Sequence, residues 1–278
     1  MNEEQTRADI QADLRSSGAK TVIYLEGRSD PTLLAALLGN RGQTPIAGGF
    51  VASGIFFKVP ESGGSGSHAI RYRIEVGKSL SNVNVFGVID GDGLSLAELE
   101  SGFDPPFLGP LFTWKAYCIE NLIAKTGWPA GWGETPDWQA ELVKFGPYVA
   151  INRLGLELQA ILQDLRIAKH LNPVEGQPLV GLDEIAVGLT AGRERISRFD
   201  VEQRFREELA RFEVAVSRSP DEAHAFLNGK WLIRHMAPAL TGRKSDKCLS
   251  DWIAHARSVG GLDEVCRWCD RIAELDAG

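Results

Sequence analysis

The chain reads as an α/β protein, a mainly parallel sheet flanked by helices, with a C-terminal α-helical extension. Three observations predict this. Short apolar, largely β-branched runs at Thr21–Leu25 and Val85–Ile89 end in acidic, glycine-bearing turns, as buried parallel strands do. The segment after the first run carries leucines at helical spacing. Beyond a stretch rich in Gly, Trp and Pro at Gly127–Gly133, the apolar pattern is helical almost throughout. The expected division is an α/β domain over 1–128 and a helical domain over 129–278.

Residues 1–20 predict a polar helix with a thin apolar stripe, Ile10 and Leu14, closed at Ser16, Ser17 and Gly18. Thr21–Leu25 is the first strand. In the helix after it, Asp30 suits the cap, Pro31 the first turn, and Gly39 the end. Short strands follow at Ile46–Val51 and Ile55–Val59. Glu61–Ser67, reading ESGGSGS, has the composition of a flexible loop. Ser67 is placed to cap a helix reaching about Ser79, with Ile70 and Ile74 on its inner side. Arg71, Arg73 and Lys78 on its other side form either a solvated face or a phosphate-contacting one. Gly77-Lys78-Ser79 imitates the end of a phosphate loop, but Tyr72 stands where the first glycine belongs, so no ATPase motor is expected. After Val85–Ile89, an insertion over Leu94–Leu111 leads to a closing strand at Trp114–Ile119. Helices are then expected over Trp138–Ala168, Leu182–Leu189, Val201–Val216, Asp221–Leu227, Lys230–Leu240, Leu249–Ser258 and Leu262–Leu275.

The strand ends carry the chemistry. Val85–Ile89 runs into Asp90-Gly91-Asp92-Gly93, and Thr21–Leu25 runs into Glu26-Gly27-Arg28-Ser29-Asp30. Open α/β sheets place their ligands at the carboxyl ends of strands. Carboxylates this close repel one another unless a cation lies among them, and an oxygen-only set suits Mg²⁺, with Mn²⁺ as the alternative. If the two strands are neighbours, Glu26, Asp30, Asp90 and Asp92 converge on one rim. Glu120, after the closing strand, adds a fifth acid. Two ions about 4 Å apart would use them all.

Composition sets bounds on this reading. Apolar content of 44% and charged content of 24% suit a globular protein with a real core. No apolar stretch approaches the roughly 20 residues of a membrane helix, and the polar start is unlike a signal peptide. The expected location is cytoplasmic, with no membrane partner. A net charge of −7 excludes a protein that coats nucleic acid by charge alone. Four cysteines make no disulfide framework: Cys118 reads as a buried thiol. Cys266 and Cys269, even with Cys248 and His255, lack a recognised zinc spacing.

Glu26-Gly27-x-x-Asp30, then Asp90-Gly91-Asp92, then Ile119-Glu120-Asn121 after an apolar run resembles the Toprim domain. That family is shared by topoisomerases, primases and nucleases of the overcoming-lysogenisation-defect (OLD) class. The resemblance covers roughly the first 125 residues. A topoisomerase would need a nucleophilic tyrosine in a separate breakage domain. The chain offers only Tyr24, Tyr72, Tyr117 and Tyr148, and it is too short for a DNA gate. The modules of a primase are absent too, which leaves a nuclease.

The resemblance implies Asp90 and Asp92 as direct metal ligands, with Glu26 a ligand or the general base. Glu120 and Asp30 would serve a second ion or orient ligands from outside. Asn228-Gly229-Lys230 is similar to the late Gly-Lys of OLD-type nucleases, which implies that Lys230 neutralises transition-state charge; an ordinary surface lysine is the competing reading. A stand-alone subunit of this kind is most similar to the nuclease effector of PARIS anti-phage defence. That likeness implies a toxic effector restrained by a partner ABC-type ATPase, released as a homodimer, and cutting tRNA, with DNA the alternative substrate.

Two further classes stay open. A haloacid-dehalogenase-type phosphatase has an Asp-x-Asp-Gly strand like Phe86–Gly93, but it carries that motif on its first strand and wants a threonine where Leu94 stands. A non-catalytic Toprim-like subunit of a defence complex would keep the fold without the reaction. Arg193, Arg195, Arg198, Arg204, Arg206 and Arg211 form either a nucleic-acid contact or, with the interleaved glutamates, a self-paired helix surface.

Overall fold

The computed structural model describes residues 2–39, 44–46, 49–52, 54–60, 66–91, 94, 97, 109–164, 201–260 and 265. The chain divides into two compact units, Met1–Gly127 with Ile253–Gly278, and Trp128–Trp252. The C-terminal stretch, expected in the helical domain, is thus grouped with the α/β unit.

The first unit is built on a six-stranded sheet of order β2-β3-β4-β1-β5-β6. Its strands are β1 (Thr21–Leu25), β2 (Thr44–Ile46), β3 (Gly49–Ala52), β4 (Ile55–Lys58), β5 (Asn84–Ile89) and β6 (Leu111–Thr113). β4, β1, β5 and β6 run parallel, whereas β2 and β3 are antiparallel at one edge. The sheet is therefore mixed, and the single strand expected at Ile46–Val51 is two strands, β2 and β3. All five residues of β1 are buried, as a central strand covered on both faces requires.

Helices α1 (Glu3–Ser17) and α3 (Ser67–Gly77) cover one face of the sheet. Ile10, Leu14, Ile70, Ile74 and Val76 pack there with Val22, Tyr24, Phe56, Val85 and Ile89. α1 ends at Gly18, which takes the left-handed conformation (φ +67°) that glycine adopts without penalty. α3 crosses β5 so closely that a Cβ on Gly87 would lie 2.1 Å from Ile70 Cγ2. Only glycine fits at that crossing. α2 (Asp30–Leu38) lies against β3 and buries Leu33, Leu34, Leu37 and Leu38.

Beneath α1 and α3 is a polar cluster that no local sequence pattern announces. Lys58 Nζ donates to Asp13 Oδ1 at 2.5 Å, and Tyr24 Oη donates to Asp13 Oδ2 at 2.9 Å. Arg73 stacks over the Tyr24 ring, 4.8 Å from its centroid, and pairs with Asp9 at 3.7 Å. Arg73 is 1% exposed and Lys58 6%. Arg73 is therefore no part of a phosphate-contacting surface; Lys78, exposed and paired with Glu75, and exposed Arg71 are what remain of that face. Burial, reinforced by the Asp13 carboxylate, pushes the Tyr24 phenol well above its ordinary pKa.

After β6 the chain turns sooner than expected. The strand is Leu111–Thr113, not Trp114–Ile119; Trp114 N–H still donates to Ile89 O, and a short helix α4 (Ile119–Ala124) follows. Trp114, Ala116, Tyr117, Cys118 and Ile119 are buried. A short apolar run signals burial, and periodicity alone does not separate a strand from a packed turn into a helix. Cys118 is buried as expected, but as the residue that opens α4: Asn121 Oδ1 accepts its N–H at 3.1 Å.

The second unit is helical where it is described. α5 (Trp138–Asp164) packs on α6 (Val201–Arg218), with Gly146 at the contact, where a Cβ would lie 3.1 Å from Leu209 Cδ1. Arg153 Nε donates to Glu208 Oε2 at 2.9 Å across that pair. α7 (Pro220–Phe226) leads into α8 (Gly229–Trp231), a π-helical turn (Leu232–Met236) and α9 (Ala237–Thr241). The last helix, α10 (Ser245–Val259), continues past Trp252 into the stretch grouped with the first unit. Trp128, Trp132 and Trp252 meet edge to face, and Trp132 Nε1 donates to Asp251 Oδ2 at 3.1 Å. No helix among the described residues is long and apolar enough to cross a membrane.

His235 sits on the π-helical turn, half-buried beside Trp231. Burial, with the Arg234 charge adding to it, holds its pKa below the usual histidine value. The neutral ring is thus the form the native state favours. Its contribution to stability is present above the unfolded-state pKa of about 6.5 and is lost as pH falls through the lower folded value. Urea unfolding followed by tryptophan fluorescence should show a lower midpoint at about pH 5.5 than at about 7.5, and His235→Gln should reduce that difference. An unchanged pH dependence in the variant would overturn the assignment.

Candidate functional site

β1 and β5 are hydrogen-bonded neighbours, with Leu25 abreast of Val88. Glu26, one residue past Leu25, and Asp90, two past Val88, therefore emerge close together at the carboxyl end of the sheet. The contact is direct: Glu26 Oε2 accepts the Asp90 N–H at 2.9 Å. Its other oxygen, Oε1, accepts the N–H of Ser67 at 3.0 Å.

That second bond has a local cause. The first amides of a helix have no intrahelical acceptor. The N-cap of α3 is Gly66 (φ +90°), which has no side chain to offer, so Ser67 does not cap the helix as expected. The Glu26 carboxylate, brought across from β1, takes the Ser67 amide, and a negative charge there also suits the helix dipole. The signal was in the sequence: a Gly- and Ser-rich loop opening a helix without an Asp or Asn cap needs an acceptor from elsewhere.

Asp30 is the first residue of α2, with Ser29 at the N-cap and Pro31 in the first turn. It is 2% exposed, and its Oδ2 accepts the Gly27 N–H at 2.7 Å. A Cβ on Gly27 would sit 2.3 Å from Asp30 Oδ1, so the glycine makes room for the acid three residues on. Asp30 thus ties the turn after β1 to the start of α2.

Glu120 lies in the first turn of α4 rather than after a strand. It is 5% exposed, and its Oε2 has no hydrogen-bond partner among the described residues. A buried carboxyl oxygen left without a donor is costly, and a cation is one way to satisfy it. Asp92, Arg193, Arg195, Arg198, Cys266 and Cys269 lie outside the described residues. Among those described, no three acidic, histidine or cysteine side chains are gathered closely enough to hold a metal ion. Of the predicted acids, Glu26 and Asp90 are brought together.

No family model, curated protein or solved structure matches this chain.

In the second unit, Lys230 is the second residue of α8, whose N-cap Asn228 accepts the amides of Lys230 and Trp231 through Oδ1 at 3.0 and 3.3 Å. Lys230 is half-buried. Of the described arginines in the basic stretch, Arg211 pairs with Glu208 on its own helix at 2.8 Å, the self-paired alternative for that residue. Cys248 is buried, with its thiol 3.6 Å from the Thr241 hydroxyl, and burial raises its pKa.

Proposed function

We propose that this protein is a metal-dependent nuclease of the Toprim type, hydrolysing nucleic-acid phosphodiesters. The observation that carries the reading is the meeting of Glu26 and Asp90 at the tips of adjacent parallel strands, 2.9 Å from carboxylate to amide. The acid-bearing tips of the Glu-Gly-x-x-Asp and Asp-x-Asp segments have to be neighbours for this chemistry. The buried Glu120 oxygen is a second support.

Asp90 and Asp92 would hold divalent ions, Mg²⁺ or Mn²⁺, with Glu120 serving a second ion or orienting its ligands. Bound ions of this kind lower the pKa of an attacking water and stabilise the leaving oxygen of a phosphodiester. Lys230, by its resemblance to the late lysine of OLD-type nucleases, would offset charge that develops on the phosphorus oxygens. The favoured substrate is tRNA, with DNA the alternative. An ABC-type ATPase would restrain the enzyme, and its active form would be a homodimer. These last points rest on the resemblance to PARIS effectors alone.

Purified protein incubated with total tRNA, plasmid and single-stranded DNA, with Mg²⁺, with Mn²⁺ and with EDTA, tests the proposal. Metal-dependent cleavage of tRNA is expected. Hydrolysis of p-nitrophenyl phosphate without nucleic-acid cleavage would favour a phosphatase. Inactivity on every substrate, from protein freed of any ATPase partner, would leave a non-catalytic subunit.

A further inference from the structure

We propose that Glu26 is a positioning residue, a clamp that fixes the backbone of Asp90, and not the base that takes a proton from the attacking water. Its catalytic meaning rests on the nuclease reading above; the clamp itself does not.

Glu26 joins three elements at once. It leaves β1, and its Oε1 takes the Ser67 amide at the start of α3 while its Oε2 takes the Asp90 amide at the end of β5. Beside the carboxylate, the backbone at Gly66 takes a φ of +90°, one that few other residues adopt. Fixing the Asp90 amide fixes where that residue's carboxylate starts from. Small errors in such a placement are expensive for catalysis.

A general base needs an oxygen turned to the reacting water and ready to hold its proton. Each Glu26 oxygen is instead engaged by a backbone N–H. The other acid of the same segment behaves alike. Asp30 Oδ2 holds the Gly27 amide at 2.7 Å, buried at 2% exposure. The Glu-Gly-x-x-Asp turn is therefore a pair of carboxylate–amide ties that shapes the rim.

Amide hydrogen exchange by NMR on metal-free protein tests this without any assay of activity. In the wild type, Ser67 and Asp90 amides should both be protected relative to an unstructured peptide. Glutamine has one acceptor oxygen in place of two, so Glu26→Gln should speed exchange at one or both amides by about tenfold or more, as expected for a lost hydrogen bond to a charged group. Amides within β1 and β4 should keep their protection and report an intact fold. Exchange at the unstructured rate for either amide in the wild type would overturn the clamp, even if the variant did not fold. So would unchanged exchange at both amides in a folded Glu26→Gln protein. If nucleic-acid cleavage is found, a second arm follows its pH–rate profile. The clamp predicts that Glu26→Gln lowers the plateau and keeps the acidic limb, whereas a general base predicts loss of that limb. Absence of cleavage would defeat the nuclease reading and leave the exchange result standing.

Discussion

Asp13→Asn should destabilise the protein by about 1.5–3 kcal/mol, because it takes away the charged acceptor of two buried hydrogen bonds. Lys58 is 6% exposed and its Nζ lies 2.5 Å from Asp13 Oδ1, while the other Asp13 oxygen accepts the Tyr24 hydroxyl at 2.9 Å. Asparagine can accept only one of these two bonds, and its amide group would then face either a cation or a hydroxyl donor. The Tyr24 phenol, whose burial already keeps it protonated, cannot give up its proton to help. Chemical denaturation at neutral pH reads the loss. A second variant separates charge from packing: in Asp13→Leu/Lys58→Met both charges go together, and much of the stability should return. A loss below about 1 kcal/mol in Asp13→Asn would mean that water reaches Lys58 after all, as at an exposed pair.

If the protein is the metal-dependent nuclease proposed above, Asp90→Asn should reduce cleavage by more than about 100-fold, beyond the cost of losing an outer-shell partner. The substitution keeps the size of the side chain and the backbone N–H that Glu26 holds. What it removes is the negative charge at the tip of β5. Folding should therefore be unaltered, and the defect should lie in the metal-dependent rate. Time courses on the substrate that the wild type cuts, with Mg²⁺ titrated at each point, measure it. A variant that cuts as fast as the wild type would remove Asp90 from the reaction.

The sheet core was legible because apolar runs that end in acids and glycine leave few alternatives. Thr21–Leu25 and Val85–Ile89 are strands, they are neighbours, and their acidic ends meet. The helix ends at Gly18 and Gly39 were legible for the same local reason. The Asp9–Asp13–Lys58–Arg73 cluster was not. Two acids four residues apart on a polar helix look like a solvated face, and Lys58 lies 45 positions from its partner Asp13. Such pairings are tertiary, and no local pattern announces them. The Trp114–Ile119 segment was misread because burial was inferred correctly and its backbone shape was not. Ser67 was misread because a serine at a helix start competes poorly with a carboxylate delivered from another strand.

The strand order carries a consequence for synthesis. β1 is the first strand made, yet it is flanked by β4 and β5, and its Thr21 pairs with Ile55 and with Asn84, the latter 63 positions away. A nascent chain emerging from the ribosome thus presents an apolar strand with one edge open until β4 has followed and the other until β5, more than sixty residues on. Closing such long-range pairings is slow, and an unmatched hydrophobic strand can find other chains first. The Glu26 tip therefore acquires its two amide donors only after most of the sheet has been translated.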